Sequence, residues 1–298
     1  MSITERDRAE PRTAPGLISV IVPVHDAAAT LDEQLAALAA QTYDGAWELV
    51  VADNGSTDGS PEIAERWRER IPQLRVIDAS QRPGPSAARN AGVAVASGDA
   101  FAFCDADDVV GPGWLESIAG ALSSHDFVMG ELDLGPLDPY GRQSSTKGAS
   151  SEPWLGFKPV AATANMAVTR AAFDAVGGFD EAAMAGADDK GFSFAVQLAG
   201  YPLHFEPEAV VAYRLRQGLR ELWRQRVTWG ISDVATYARF RRHGMPRSSA
   251  REAVRAYAGL VTRLRILRFP NGRWRWVRDA AQRWGRLKGS IRYRVLYL

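Results

Sequence analysis

At 298 residues, 46% of them hydrophobic and 24% charged, the chain is long enough for one large α/β domain with an appendage; its lone cysteine, Cys104, excludes an internal disulfide and fits a reducing cytoplasm. No window approaches the roughly 18 uninterrupted apolar residues of a membrane-spanning helix, so membrane contact is expected to be peripheral. The formal charge of +1 is a cancellation: residues 214–298 carry 22 Lys or Arg against 4 Asp or Glu, which leaves 14 against 31 in residues 1–213.

Residues 1–16, MSITERDRAEPRTAPG, are polar, lack the apolar core of a signal peptide and read as a disordered lead-in. LISVIVPV (17–24) is a β-branched run of the kind found in a strand covered on both faces. Thr30 and Glu33 have capping-box spacing ahead of a helix that keeps Leu31, Leu35 and Leu38 on one face. WELVVAD (47–53) is the second strand, and Ser60 with Pro61 is the expected N-cap and first-turn pair of a helix through Ile63 and Trp67 that ends near Pro72. LRVID (74–78) is the third strand; Ser86 is the expected cap of AARNAGVAVASG, with Gly98 as terminator, and AFAFC (100–104) is the fourth strand, where Cys104 serves as core filler. Past Gly111, GPGWLESIAGALSS reads as a helix, HDFVMGELDL as a strand, and GPLDPYGRQSSTKGASSEP as a polar loop long enough to form a lid or a disordered segment. ANMAVTR, RAAFDAVGGFDE, ADDKGFSFAVQLAGY and PLHFEPEAVVAYRLR follow as strand, short helix, helix and closing strand.

This alternation predicts an α/β fold with a mostly parallel sheet and helices on both faces; it leaves the strand order open. Ligands of such sheets bind beyond the carboxyl ends of the strands. Three polar clusters lie at those ends, Pro23–Asp26, the DNGSTD of 53–58 and the DADD of 105–108, and they are expected to share one cleft. Asp105, Asp107 and Asp108 repel one another, and a divalent cation is the economical compensation. Mg²⁺ or Mn²⁺ takes oxygen ligands, commonly one or two carboxylates and the oxygens of a substrate diphosphate. The competing reading is that Asp108 or a neighbour caps the next helix while the others face water.

ISVIVPVHDAAATLDEQ, VVADNGSTDGS, GPSAARNAGVAVASGDAFAFCDADD, and NMAVTRAAFDAVGGFDE followed by ADD together resemble the family 2 glycosyltransferases, whose GT-A fold is Rossmann-like; the resemblance covers residues 17–215. It implies an inverting, metal-dependent transfer of one sugar from a nucleotide-diphospho-sugar donor to a hydroxyl of a glycan or lipid-linked acceptor, in cell-envelope or exopolysaccharide synthesis. Position by position, it puts Pro23 and His25 beside the nucleotide, Asp53 and Asn54 on base or ribose, and Arg89 near the diphosphate. Asp105 falls in the ribose and metal region and Asp107 on the Mg²⁺ or Mn²⁺ itself. Asp189 matches the general base, and Asp188 on the acceptor side replaces the usual Glu. The chain departs from the family at Gly191, where a second Asp is usual, and near Ala195, where an Arg is usual. These departures motivate an alternative reading as a non-catalytic module that binds a nucleotide sugar or a partner. The nucleotide-binding half is expected at 17–108 and the acceptor half at 109–215.

Residues 216–298 form a basic, aromatic-rich helical extension. Gln225, Arg226 and Trp229 match part of the Q-x-x-R-W signature of polymerising relatives, but Thr228 stands where Arg is required, against processive synthesis. Arg interleaved with Trp274, Trp276, Trp284, Tyr293 and Tyr297 suits an anionic membrane surface on the cytoplasmic side. The alternative is packing of the basic helices on the acidic region, within the chain or in a homodimer. No nucleic-acid recognition motif accompanies the charge.

Overall fold

The computed structural model describes residues 14–138, 152–184 and 186–298. Residues 1–13 of the expected lead-in and most of the expected polar loop, 139–151, lie outside the described residues. The chain divides into two compact units: one made of the chain up to Glu152, Pro159–Glu181 and Phe192–Arg214, the other of Pro153–Lys158, Ala182–Gly191 and Leu215–Leu298.

In the first unit, strands β1 (Ile18–Val24), β2 (Trp47–Asp53), β3 (Leu74–Asp78) and β4 (Ala100–Phe103) are all parallel, in the order β3-β2-β1-β4. Beyond β4 the sheet continues through β7 (Met166–Thr169), β6 (Phe127–Asp133), β8 (Leu203–Ala212) and β5 (Val109–Val110). β7 runs antiparallel to both β4 and β6, and the two-residue β5, which the sequence pattern did not announce, is antiparallel to β8. Strand alternation sends side chains to two cores. Ile18, Val20, Val22, Ala100 and Ala102 pack with α1 (Leu31–Ala39), α2 (Ser60–Arg66) and α4 (Trp114–Leu122), and Cys104 is buried there as filler. Ile21, Phe101, Phe103 and Phe127 pack with α3 (Pro85–Val95), α5 (Arg170–Val176) and α6 (Asp188–Leu198).

The expected caps are made differently. Thr30 is the N-cap of α1, but its hydroxyl donates to Ala27 O at 3.4 Å and makes no capping bond. α2 begins at Ser60 with Gly59 as N-cap, because the Ser60 hydroxyl donates to Asp58 Oδ1 (2.5 Å) and accepts from Ala27 N (2.9 Å). α3 begins at Pro85 with Gly84 as N-cap at φ 117°, a conformation that L side chains avoid, so Ser86 falls inside the helix. That helix ends at Val95, and Gly98 N instead donates to Ser19 Oγ at 2.9 Å.

The second unit is built on α7 (Leu219–Phe240) and α9 (Pro270–Arg292), with α8 (Ala250–Thr262) between them in sequence. Their contact runs along glycines: a Cβ on Gly285 would lie 2.2 Å from Val227 O and 2.9 Å from Gly230 Cα, and one on Gly230 would lie 2.2 Å from Gln282 O. Inside the unit Lys190 Nζ meets Asp233 Oδ1 at 2.5 Å, while Asp233 Oδ2 accepts from Arg286 Nε (3.0 Å) and Gln282 Nε2 (2.7 Å). Burial alone would raise the Asp233 carboxyl, but Lys190 and then Arg286 outweigh it and hold the group below its usual range. Of the tail aromatics, Tyr297 is buried and stacks on Tyr237 at 4.5 Å, and Trp276 donates to Leu260 O, whereas Trp284 is exposed. Gly285→Val forces a side chain into backbone, and it lowers the stability of this unit by at least about 1–3 kcal/mol; circular dichroism melts of the variant and wild type measure the loss.

Candidate active site

Register places the carboxyl ends of β2, β1 and β4 side by side: Val24 pairs with Asp53, and Ile21 with Phe103. Pro23 lies opposite Ala52 in β1 beyond the last β4 pair, where a missing N–H interrupts no ladder bond on that side. The loops after β1 and β2 interlock. Asp26, held at φ 48°, accepts from Thr57 N at 2.7 Å, and its own N–H donates to Ser56 Oγ at 3.0 Å. Ala28 N donates to Asp58 Oδ2 at 2.8 Å. His25 keeps an exposed ring whose Nδ1 bonds Asn54 O at 3.0 Å.

Asp53 closes a turn by accepting from Gly55 N (3.2 Å) and Ser56 N (3.2 Å). Asn54 uses its whole side-chain amide on the loop after β3: Nδ2 donates to Ala79 O (2.5 Å) and Arg82 O (2.8 Å), and Oδ1 accepts from Gly84 N (2.7 Å). Its donors are therefore spent on backbone, and its place is that of a loop clamp at the edge of the cleft.

After β4 the chain gathers Asp105, Asp107 and Asp108, with one carboxylate oxygen of each within 4.8 Å of the others. Asp108 is 1% exposed and does not cap α4, whose N-cap is Gly113. Its Oδ1 accepts from Arg214 N at 2.7 Å, while Oδ2 is buried and has no hydrogen-bond partner. Burial first, then Asp105 and Asp107, push its carboxyl well above the usual range. Three crowded carboxylates with an orphaned buried oxygen are the donor set of a hard divalent cation, so the residues present fit Mg²⁺ or Mn²⁺.

The loop is clasped from three directions. Arg89, expected near a diphosphate, is 3% exposed, and its Nη2 meets Asp105 Oδ1 at 2.6 Å, so it acts on the acidic loop. Arg214 donates from Nε to Asp107 O (2.8 Å) and from Nη2 to Glu33 Oε2 (2.5 Å). Gln34, fully buried, donates to Asp105 O (3.0 Å) and accepts from Val110 N (3.0 Å). Gln41, one heptad on, donates to Gly111 O (3.0 Å) and accepts from Leu115 N (3.0 Å). The sequence reading passed over Gln34, Gln41 and Arg214. For Gln34 a signal existed, since a polar residue stands on the same stripe as Leu31, Leu35 and Leu38; Arg214 carries none.

Asp188 and Asp189 open α6 in the second unit; Asp188 is buried and its Oδ1 accepts from Gly186 N at 2.8 Å. At Gly191 an added Cβ would lie 3.5 Å from Arg239 Nη1, with no closer neighbour.

Residues 19–173 match the family model for glycosyl transferase family 2, more than half of the chain. The chain belongs to that family. Glycosyltransferase AglE of Haloferax volcanii is 30% identical over 207 residues, 67% of each chain. A glycosyltransferase of Escherichia coli K12, YibD, is 39% identical over 116 residues, 39% of this chain and 33% of that one, so the chain spans two thirds or less of these relatives. The mannosyltransferase PcManGT from Pyrobaculum calidifontis, solved with GDP-Man and Mn²⁺, superposes with a TM-score of 0.69 at 22% identity over 94% of this chain and 88% of that one. TarS of S. aureus with UDP-GlcNAc gives 0.54 at 18% identity over 94% and 93%. The expected GT-A-like α/β fold is thus the fold observed.

Gln34→Leu leaves Asp105 O and Val110 N without their side-chain partner, and it destabilises the first unit by about 1–3 kcal/mol; urea unfolding followed by Trp fluorescence reads the loss.

Proposed function

We propose that this family 2 glycosyltransferase moves a single sugar, with inversion, from a nucleotide-diphospho-sugar donor to a hydroxyl of a glycan or lipid-linked acceptor. The observation that carries the reading is the acidic triad at the carboxyl edge of the parallel strands, with its buried, unpartnered Asp108 oxygen. Asp105 and Asp107 would hold Mg²⁺ or Mn²⁺, with Asp108 as the third carboxylate. When bound, the ion neutralises charge on a departing diphosphate.

The chain's own residues do the rest. Arg89 orients Asp105 and offsets its charge. Asp53, Asn54, His25 and Pro23 frame the nucleotide side, Asn54 by fixing the loop of Ala79–Gly84 and His25 by its exposed ring. Asp189 takes the proton of the attacking hydroxyl, and Asp188, engaged with Gly186 N, sets the start of α6. GDP-mannose and UDP-GlcNAc are bound by the structural neighbours named above.

The second unit supports docking at an anionic membrane surface on the cytoplasmic side. Val254, Val261 and Phe269 are 66–70% exposed among Arg251, Arg265 and Arg268, which pairs apolar insertion with charge attraction. No described helix is long and apolar enough to cross a membrane.

Thermal shift with a panel of nucleoside diphosphates, with and without Mn²⁺, tests the reading. One nucleotide is expected to raise Tm only with metal, and Asp107→Ala to abolish the rise; no rise with any nucleotide would favour a non-catalytic partner-binding module. Asp189→Asn is expected to retain that metal-dependent rise while transfer falls by about 10²–10⁴-fold; normal turnover in the purified variant would remove Asp189 from the role.

A further inference from the structure

The second unit contains a cavity of about 240 Å³ between α8 and α9 that none of the roles above uses. Three guanidinium groups line it, Arg255 and Arg263 from the α8 side and Arg283 from α9, against one carboxylate, Asp279. Asp279 is itself engaged by Arg278 Nε at 3.0 Å, so it does not balance the three. Arg255 and Arg263 have no ion-pair partner among the described residues. Arg283 spends Nη1 on Asp279 O at 2.9 Å, and its Nε is buried with no hydrogen-bond partner. Burial first lowers the Arg283 pKa; Asp279 and Tyr257 oppose the shift, and Arg286 and Arg263 add to it. Trp276 supplies a fixed wall, since its Nε1 donates to Leu260 O at 2.9 Å.

An excess of positive charge around a half-open cavity, where Arg255 and Arg263 are exposed and the buried Arg283 Nε is left idle, suits an acceptor-rich anion. Guanidinium forks match phosphate oxygens geometrically, and like-charge crowding favours a dianion over a monoanion. Size narrows the class. The cavity holds the volume of about eight waters at ~30 Å³ each, which suits a phosphate monoester or a diphosphate; ligand pockets for larger molecules begin at about 300 Å³. We propose that this cavity is a phosphate-binding site, distinct from the acidic triad, which takes a phosphate monoester or diphosphate group.

The group can belong to a soluble phosphate ester or to a lipid headgroup. Both sources present the same phosphate oxygens to the guanidinium groups of Arg255, Arg263 and Arg283. Neither source depends on the transfer reaction proposed above.

Gly259 gives a clean probe, because a Cβ there meets no atom within 4 Å and a larger side chain would enter the cavity without touching charge. Inorganic pyrophosphate is titrated calorimetrically into the full chain in EDTA, which removes any metal route through Asp105 and Asp107. Wild type is expected to bind at one site, and Gly259→Leu and Arg263→Gln each to weaken binding at least tenfold, with far-UV circular dichroism unchanged. If Gly259→Leu does not fold, the double variant Arg255→Gln, Arg263→Gln replaces it. Flotation with phosphatidylcholine vesicles, with and without phosphatidic acid, then separates the sources. Capture by phosphatidic acid that is lost in Gly259→Leu assigns a headgroup, and no capture with pyrophosphate binding intact assigns a soluble ester; both uphold the site. Absence of pyrophosphate binding in wild type, or binding within twofold in every variant, overturns it.

Discussion

Mutual repulsion among Asp105, Asp107 and Asp108 is the constraint around which the first unit is arranged. A loop carrying three carboxylates within 4.8 Å would open toward water if left to itself, and burying Asp108 to 1% exposure makes the electrostatics worse. The fold answers with partners from every side: Gln34 of α1 on the backbone at both ends, Arg89 of α3 on Asp105, and Arg214 after β8 on Asp107 O and Asp108. Each clasp satisfies backbone or charge, and none uses up the second oxygen of Asp108. The loop is thus held by several partners while one buried acceptor of Asp108 keeps no hydrogen bond.

The same economy runs through the neighbouring loops. Asp26, Ser56, Thr57, Asp58 and Ser60 bond one another across two strand ends, and Asn54 binds a third loop. Polar residues at these strand ends are thus largely occupied with holding the loops in shape. Loops fixed by several hydrogen bonds lose little conformational freedom on binding, so more of the contact energy is realised as affinity.

The second unit solves a different charge problem. With only four acidic residues from Arg214 onward, it places one of them, Asp233, at the centre, where Lys190, Arg286 and Gln282 converge on it. Removing one partner from such a buried cluster leaves an uncompensated charge, which is far more costly than losing a surface pair. The glycine seam of Gly230 and Gly285 brings α7 and α9 close enough for these side chains to meet. Around the cavity between α8 and α9, Arg255, Arg263 and Arg283 outnumber the one carboxylate, Asp279.

Sequence by itself determined the parts governed by near neighbours along the chain: the β-branched strands, the amphipathic helices, the partition of charge at residue 214, and the four motif fragments that carry the family resemblance. Periodicity and turn chemistry act over a few residues, so they are legible without coordinates. It stated which residues gather at the strand ends, but not which protein groups they touch: Arg89 bonds Asp105, and the amide of Asn54 bonds the loop after β3. The expected caps Ser60 and Ser86 give way to Gly59 and Gly84. Only the tertiary structure decided the reversed β7 between β4 and β6, the clasps by Gln34 and Arg214, and the cavity between α8 and α9. These contacts join residues 71 to 107 positions apart in the case of the acidic loop, and a hydrogen bond over that separation leaves no local pattern in the chain that makes it.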